Sequence, residues 1–190
     1  MTDPGGSARL RFVALTQQFA RVSPSYLEDC RRRAVESPTD DPGWDPPEAD
    51  RLDLNWDAWP LPALFRRAGN SGTSVAAITR ALEGDPGGDV AFLDHDGVYD
   101  GFGEPPALLP PAAVAEIAVA LAAVDSDTIP AAIPATAEEA AALFRFPLGD
   151  IAHLMAGNLL VPLLTRALTR LRVFYEDARR RDLAVVVWVD

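Results

Sequence analysis

The sequence predicts an α+β domain, a small sheet holding both ends of the chain with helices packed on it. Three observations carry this. The closing run "LAVVVWVD" is β-branched and apolar throughout, the pattern of a strand buried on both faces. The early stretch "LRFVALTQ", from Leu10, alternates like a second strand. Between them the periodic segments have helical spacing. Neither strand can satisfy its backbone groups alone, so the economical arrangement puts both in one sheet. A length of 190 residues, 48% hydrophobic, is enough for one core, and one domain over residues 1–190 is expected.

The elements follow in order. Ser23 is placed to cap a helix, and Pro24 fits the first helical position. Leu27, Cys30 and Ala34 share one face of that helix, which makes Cys30 a small core residue. The neighbouring Arg31, Arg32 and Arg33 are the argument for a reactive thiol instead. Residues 38–51, "PTDDPGWDPPEADR", have no period and read as a Pro/Asp-rich surface loop. "WDAWPLPALFRRA" reads as a helix with Trp56 and Trp59 near its start and Pro60 and Pro62 in or before its first turn. "SVAAITRALEG" places Val75, Ile78 and Leu82 on one face and ends near Gly84. "LPPAAVAEIAVALAAV" carries a stripe of Val114, Ile117, Leu121 and Val124 behind a proline pair. Thr136 and Glu139 have capping-box spacing for the next helix. The longest helix is expected from a cap at Asn158 to about Arg181. Its stripe is Leu160, Leu164, Leu168, Leu171, Phe174 or Tyr175, and Ala178, and its i,i+4 pairs are Arg172–Glu176 and Asp177–Arg181.

The composition narrows the function. The formal net charge is -11, which argues against nucleic acid and anionic membrane as partners and for a basic protein. Every cationic side chain apart from two histidines is arginine, so lysine Schiff bases and a P-loop lysine are excluded. The single cysteine gives no disulfide and no thiolate metal cluster. The start "MTDPGGSARL" has no secretory pattern, and "IAVALAAV" is too short to span a bilayer, so a cytoplasmic setting is expected.

Four stretches resemble the YfbM-like family of bacterial proteins, a family of unknown function. They are Leu10 to Arg33, "LDLNWDAWPLPALFRRAG", "DGFGEPPALLPPAAVAEIAVAL" and "LTRLRVFYEDARRRDLAVVVWVD". The second is similar to the family's Asp-Leu-Asp-Lys-Ala-Trp segment and the third to its Asp-x-Gly-Tyr-Gly-Pro turn. The last matches its closing helix and strand. The family's lysine near the tryptophan is absent, the arginine after the glycine turn is replaced in "EPPALL", and the loop at 38–51 is longer. The resemblance implies a compact α+β fold in a bacterial cytoplasm and brings no catalytic residue.

The densest chemistry is "FLDHDGVYDGFG", residues 92–103. If extended, Asp94 and Asp96 face one way and His95 the other, so one ion cannot be held without a turn at Gly97. The calcium-loop register fails, because Val98 falls at position 5 and Pro105 at position 12. A solvated acidic loop is the expectation for Asp94, His95, Asp96 and Asp100, with no metal and no cofactor. His153, the second histidine, sits among apolar residues and reads as a hydrogen-bonded core or boundary residue. No nucleophile elbow is present. Trp44, Trp56 and Trp59 cluster near acids, and Tyr99 and Phe102 flank the glycine turn; one of Trp56 and Trp59 is expected in the core. Two functions follow. One is a non-enzymatic acidic interaction module, an antagonist of a basic partner such as a toxin, binding through Trp56, Trp59, Asp94, His95, Asp96, Tyr99, Asp100 and Phe102. The other is a small hydrolase or metal-dependent enzyme using the Asp94–Asp100 region.

Overall fold

The computed structural model describes residues 16–85, 87–99 and 104–189. One antiparallel sheet of four strands carries helices, in the order β2-β1-β4-β3. The first strand, β1 (Gln17–Val22), and the last, β4 (Ala184–Val189), lie side by side at its centre, from Gln17↔Val189 to Val22↔Ala184. The α+β expectation holds, with both ends of the described chain in one sheet. Of the strand expected over Leu10–Gln17, Leu10 to Leu15 lie outside the described residues; the described strand starts at Gln17 and runs up to the helix cap.

β4 is apolar throughout because the sheet is covered on both faces. Val185 and Val187 join the larger core, while Ala184, Val186 and Trp188 join a smaller one on the other side. The smaller side is covered by α1 (Pro24–Glu36) and by a 3-10 turn at Ala91–Leu93. Ser23 accepts from the Tyr26 N–H, and Leu27, Cys30 and Ala34 are buried as the spacing predicts. Burial pushes the Cys30 thiol pKa up, which disfavours thiolate and the reactive reading.

The loop after α1 ends earlier than expected. A 3-10 turn at Glu48–Asp50 leads into β2 (Arg51–Asn55), an edge strand that the sequence reading missed. Leu52 and Leu54 turn into the core, and Arg51, Asp53 and Asn55 face solvent. Asp50 fastens this corner, bonded to Arg21 of β1 at 2.8 Å and to Arg181 at 2.6 Å. Both guanidiniums hold its carboxyl below the usual range, Arg181 most strongly, against a smaller opposing effect of burial.

The larger face carries the other helices. Trp56 to Pro60 form a turn, so α2 is only Leu61–Arg67, with Pro62 in its first turn. α3 (Gly72–Glu83) is capped by Ser71 and ends at Gly84. β3 (Ala107–Leu109), also missed by the sequence reading, pairs with β4 for three residues. α4 (Pro111–Ala123) then packs along α8 (Leu160–Arg180). Between these run α5 (Ile129–Ala132), α6 (Ala137–Phe144), capped by Thr136, and α7 (Leu148–Ala156). α7 holds His153 in a stretch where the sequence pattern predicts no separate helix.

The whole α8 stripe is buried, including both Phe174 and Tyr175. It packs mainly against α4 and reaches the sheet where Phe174 meets Phe19 edge-on at 6.2 Å. Two local expectations fail. Asn158 is not the cap; it takes a left-handed φ of 54° in the turn before α8, which Asn tolerates, and Leu159 occupies the cap position. Arg172 does not pair with Glu176. It reaches across to donate to the carbonyls of Leu121 and Val124, ending α4, while Glu176 pairs with Arg179. Asp177–Arg181 forms as expected, at 3.1 Å. Among the described residues no single helix is long and apolar enough to cross a membrane.

Candidate functional site

The stretch around Asp94 is folded into turns, not extended. After the 3-10 turn, the Val98 N–H donates to the His95 carbonyl at 2.8 Å. This brings the Tyr99 hydroxyl onto Asp94 Oδ1, 2.5 Å away, and Tyr99 is buried. The Asp94 carboxylate pushes the Tyr99 pKa up to about 12, with burial second. His95 is held at both ring nitrogens. Nδ1 accepts the Gly97 N–H at 2.8 Å, and Nε2 lies 3.1 Å from the Thr39 carbonyl. Both bonds form together in the neutral ring protonated at Nε2. His95 therefore ties this turn to the loop after α1. Among the described residues no three His, Cys, Asp or Glu side chains converge as metal ligands would. Asp100 and Phe102 lie outside the described residues. His153 is exposed on α7, not in the core or at its boundary, because its apolar neighbour Ile151 takes the inward face.

The tryptophans separate. Neither Trp56 nor Trp59 is in the core: Trp56 is half-buried and Trp59 is 41% exposed, their rings edge to face at 5.7 Å. They fall in a turn before α2, and the core position there is taken by Ala58. Trp44 packs between Tyr26 and Trp188 on the smaller face.

Trp59 and Asp94 meet at a cleft of about 740 Å³ at the end of the sheet. Its geometry begins with β3. Pro105 and Pro106 precede that strand and cannot donate to a ladder, so pairing stops at Ala107↔Val187. Trp188 and Val189 run past the end of β3 and line the opening. The other wall is the end of α3. Gly84 has a φ of 74°, and a Cβ there would stand 2.6 Å from that of Ala107, so only glycine lets α3 close on β3 this tightly. Asp85 then bridges to Leu108 and is neutralised by Arg80, at 2.5 and 2.6 Å.

The electrostatics are one-sided. The described lining carries Glu83, Asp85, Asp94 and Glu104 and no cationic side chain. Among the described residues three buried side-chain atoms have no hydrogen-bond partner, Arg31 Nε on α1 and two on residues that line the cleft. Gln17 is 2% exposed; its Nε2 donates to the Leu82 carbonyl at 2.7 Å, and its Oε1 has no partner. Trp188 is 7% exposed, and its Nε1 has none either. Asp96 and Tyr99 open instead on a separate groove of about 350 Å³, beside Arg51 and Trp44. The residues expected to form one patch are thus divided between two depressions.

A comparison with family models, curated proteins and solved structures finds no match.

Gln17, Glu83, Glu104 and Trp188 escaped the sequence reading. Glutamine at a strand start carries no signal of burial, and carboxylates scattered from Glu83 to Glu104 in an acidic chain do not announce that they share a cleft. The one available hint was the "EPPA" proline pair, which shortens β3 and opens the space.

Proposed function

We propose that this protein is a non-enzymatic interaction module that binds a basic protein partner through the acidic cleft beside Trp59. The observation that carries this is the lining: four carboxylates, one of them neutralised by Arg80, with no cation among the described lining residues and an exposed indole at the rim. Like charges gathered around a concave surface focus the field and favour a cationic partner. A half-exposed tryptophan supplies the kind of anchor that dominates interface energetics. The enzymatic alternative has less support. His95 has both nitrogens engaged and Asp94 holds Tyr99, so neither is disposed as a general base. The reading extends to a cytoplasmic setting and to kinship with YfbM-like proteins, and a relative of that family with the same cleft would support the kinship.

The test is calorimetry against basic and acidic proteins of matched size. Basic members should bind, more weakly as salt rises. The double change Glu83→Gln, Glu104→Gln should weaken them. The equal charge change Glu138→Gln, Glu139→Gln on α6, outside the cleft, should do so much less. Absence of binding, or equal loss from both pairs, would refute the module.

A further inference from the structure

We propose that the turn at His95 is a proton-driven switch: protonation of the ring turns over the Asp96–Gly97 peptide and remodels the small groove beside Trp44 and Trp188. This goes beyond the partner reading and does not depend on it. Residues 95–98 form a β-turn, closed by the Val98 N–H on the His95 carbonyl at 2.8 Å. Its two central residues are Asp96 and Gly97. Gly97 does not have a positive φ, which fits a type I turn and excludes type II. The first residue of a type I turn is commonly Asp, Asn or Ser, and its side chain accepts from the N–H two residues on. His95 plays that part through Nδ1, which accepts the Gly97 N–H at 2.8 Å. An asparagine or serine there would keep its acceptor at every pH. Histidine changes charge between about pH 5 and 8, and in the cation both ring nitrogens are donors.

The Nε2 bond to the Thr39 carbonyl, 3.1 Å, survives protonation, because that nitrogen donates in both forms. The ring stays anchored while Nδ1–H is set against the Gly97 N–H, donor against donor. Turning over the Asp96–Gly97 peptide relieves this, since the Asp96 carbonyl then faces Nδ1 and accepts from it. Among the described residues no backbone N–H donates to that carbonyl in the type I turn, so no other main-chain bond is lost. The product is a type II turn, which keeps the Val98 bond and needs φ > 0 at its third residue. That residue is glycine, for which a positive φ costs little. The surroundings accommodate a cationic ring. Asp94 and Asp96 flank it, Asp94 bonded to Tyr99, and Asp40 and Asp41 adjoin Thr39 in the loop after α1. Asp41 Oδ1 stands 3.6 Å from the place a Gly97 Cβ would take. The cations on neighbouring elements are Arg33 of α1, which reaches the Gly43 carbonyl, and Arg51 of β2, which shares the groove. Asp96 and Gly97 line that groove of about 350 Å³, so the switch redraws the donors and acceptors of its wall.

The experiment is NMR on the whole protein between about pH 8 and 5. The His95 ring signals are assigned by their loss in His95→Asn, which separates them from those of His153. The Asp96 Hα and Gly97 N–H protons are far apart in a type I turn and close in type II. Their cross-peak should be weak at the alkaline end and grow strong in step with the His95 ring titration. His95→Asn puts Oδ1 in place of Nδ1, keeps the acceptor at every pH, and should hold the weak cross-peak throughout. Gly97→Ala, with folding checked by its thermal melt, should also resist the change, because alanine disfavours φ > 0. A cross-peak that stays weak while the His95 ring titrates would overturn the switch, the ring then donating to a carboxylate such as Asp94 or Asp41. A change that persists in His95→Asn would overturn it too, by tracing the pH dependence to the carboxylates. So would a Gly97→Ala variant that responds as readily as the parent.

Discussion

Leu168→Ala tests the core assignment of α8 most directly. Leu168 is fully buried, midway along the stripe that packs on α4. The substitution removes about three carbons, worth roughly 2 kcal/mol in transfer free energy. The close-packed surroundings relax only partly, and a residual cavity of about 50 Å³ adds about 1.2 kcal/mol. The expected loss is therefore about 3–4 kcal/mol. For a chain of this size that lowers Tm by roughly 6–16 °C. Urea unfolding followed by circular dichroism should show the midpoint fall with the slope unchanged. The matched control is Arg166→Ala on the exposed face of the same helix, expected within about 0.5 kcal/mol. A loss below about 1 kcal/mol at Leu168 would refute the argument. An unchanged Tm accompanied by lost partner binding would make the stripe an interface.

Three other outcomes follow from the contacts. Asp50 has its folded pKa depressed, so its stabilisation is complete above the unfolded value of about 3.9 and is lost as pH falls through the folded one. Acid unfolding curves of Asp50→Asn should lack that part of the slope, and curves that superimpose on the parent's would refute the Arg21–Asp50–Arg181 linkage. Arg172→Met leaves the Leu121 and Val124 carbonyls at the end of α4 without their donor and should cost about 1–3 kcal/mol in urea unfolding; a neutral result would mean water replaces it freely. All three tyrosines have raised pKa values, Tyr26 and Tyr175 chiefly through burial and Tyr99 chiefly through Asp94. An alkaline absorbance titration should show no phenolate step at the ordinary value of about 10.

What was legible in the sequence is what one periodicity encodes. The α8 stripe, the α3 face and the buried β4 each repeat a pattern long enough to outweigh local exceptions. The cap at Ser23 and the end at Gly84 were legible because side-chain oxygen and absent Cβ act locally. β2 and β3 were not. β2 offers only Leu52 and Leu54 against three polar residues and sits at the end of an acidic loop. β3 is three residues between proline pairs. Each is a strand only because β1 or β4 stands beside it. Arg172 failed for the same reason. Its i,i+4 acid was visible in the sequence, and the better acceptors, two carbonyls about 50 residues earlier, were not.

Among the described residues, two of the three buried side-chain atoms without a hydrogen-bond partner belong to residues that line the cleft. The third, Arg31 Nε, is on α1, while the buried Tyr175 hydroxyl is answered, donating to the Ala81 carbonyl at 2.6 Å. A buried polar atom left without a partner costs about 1–3 kcal/mol, a sizeable fraction of a typical domain's stability of about 5–15 kcal/mol. Gln17 Oε1 and Trp188 Nε1 both carry that cost, on residues lining one opening rimmed by acids. An apolar residue at either position would avoid it and would fill the same space. Gln17 also shows that the cost is not inherent in the backbone, because its Nε2 is satisfied by the Leu82 carbonyl while its other end is not.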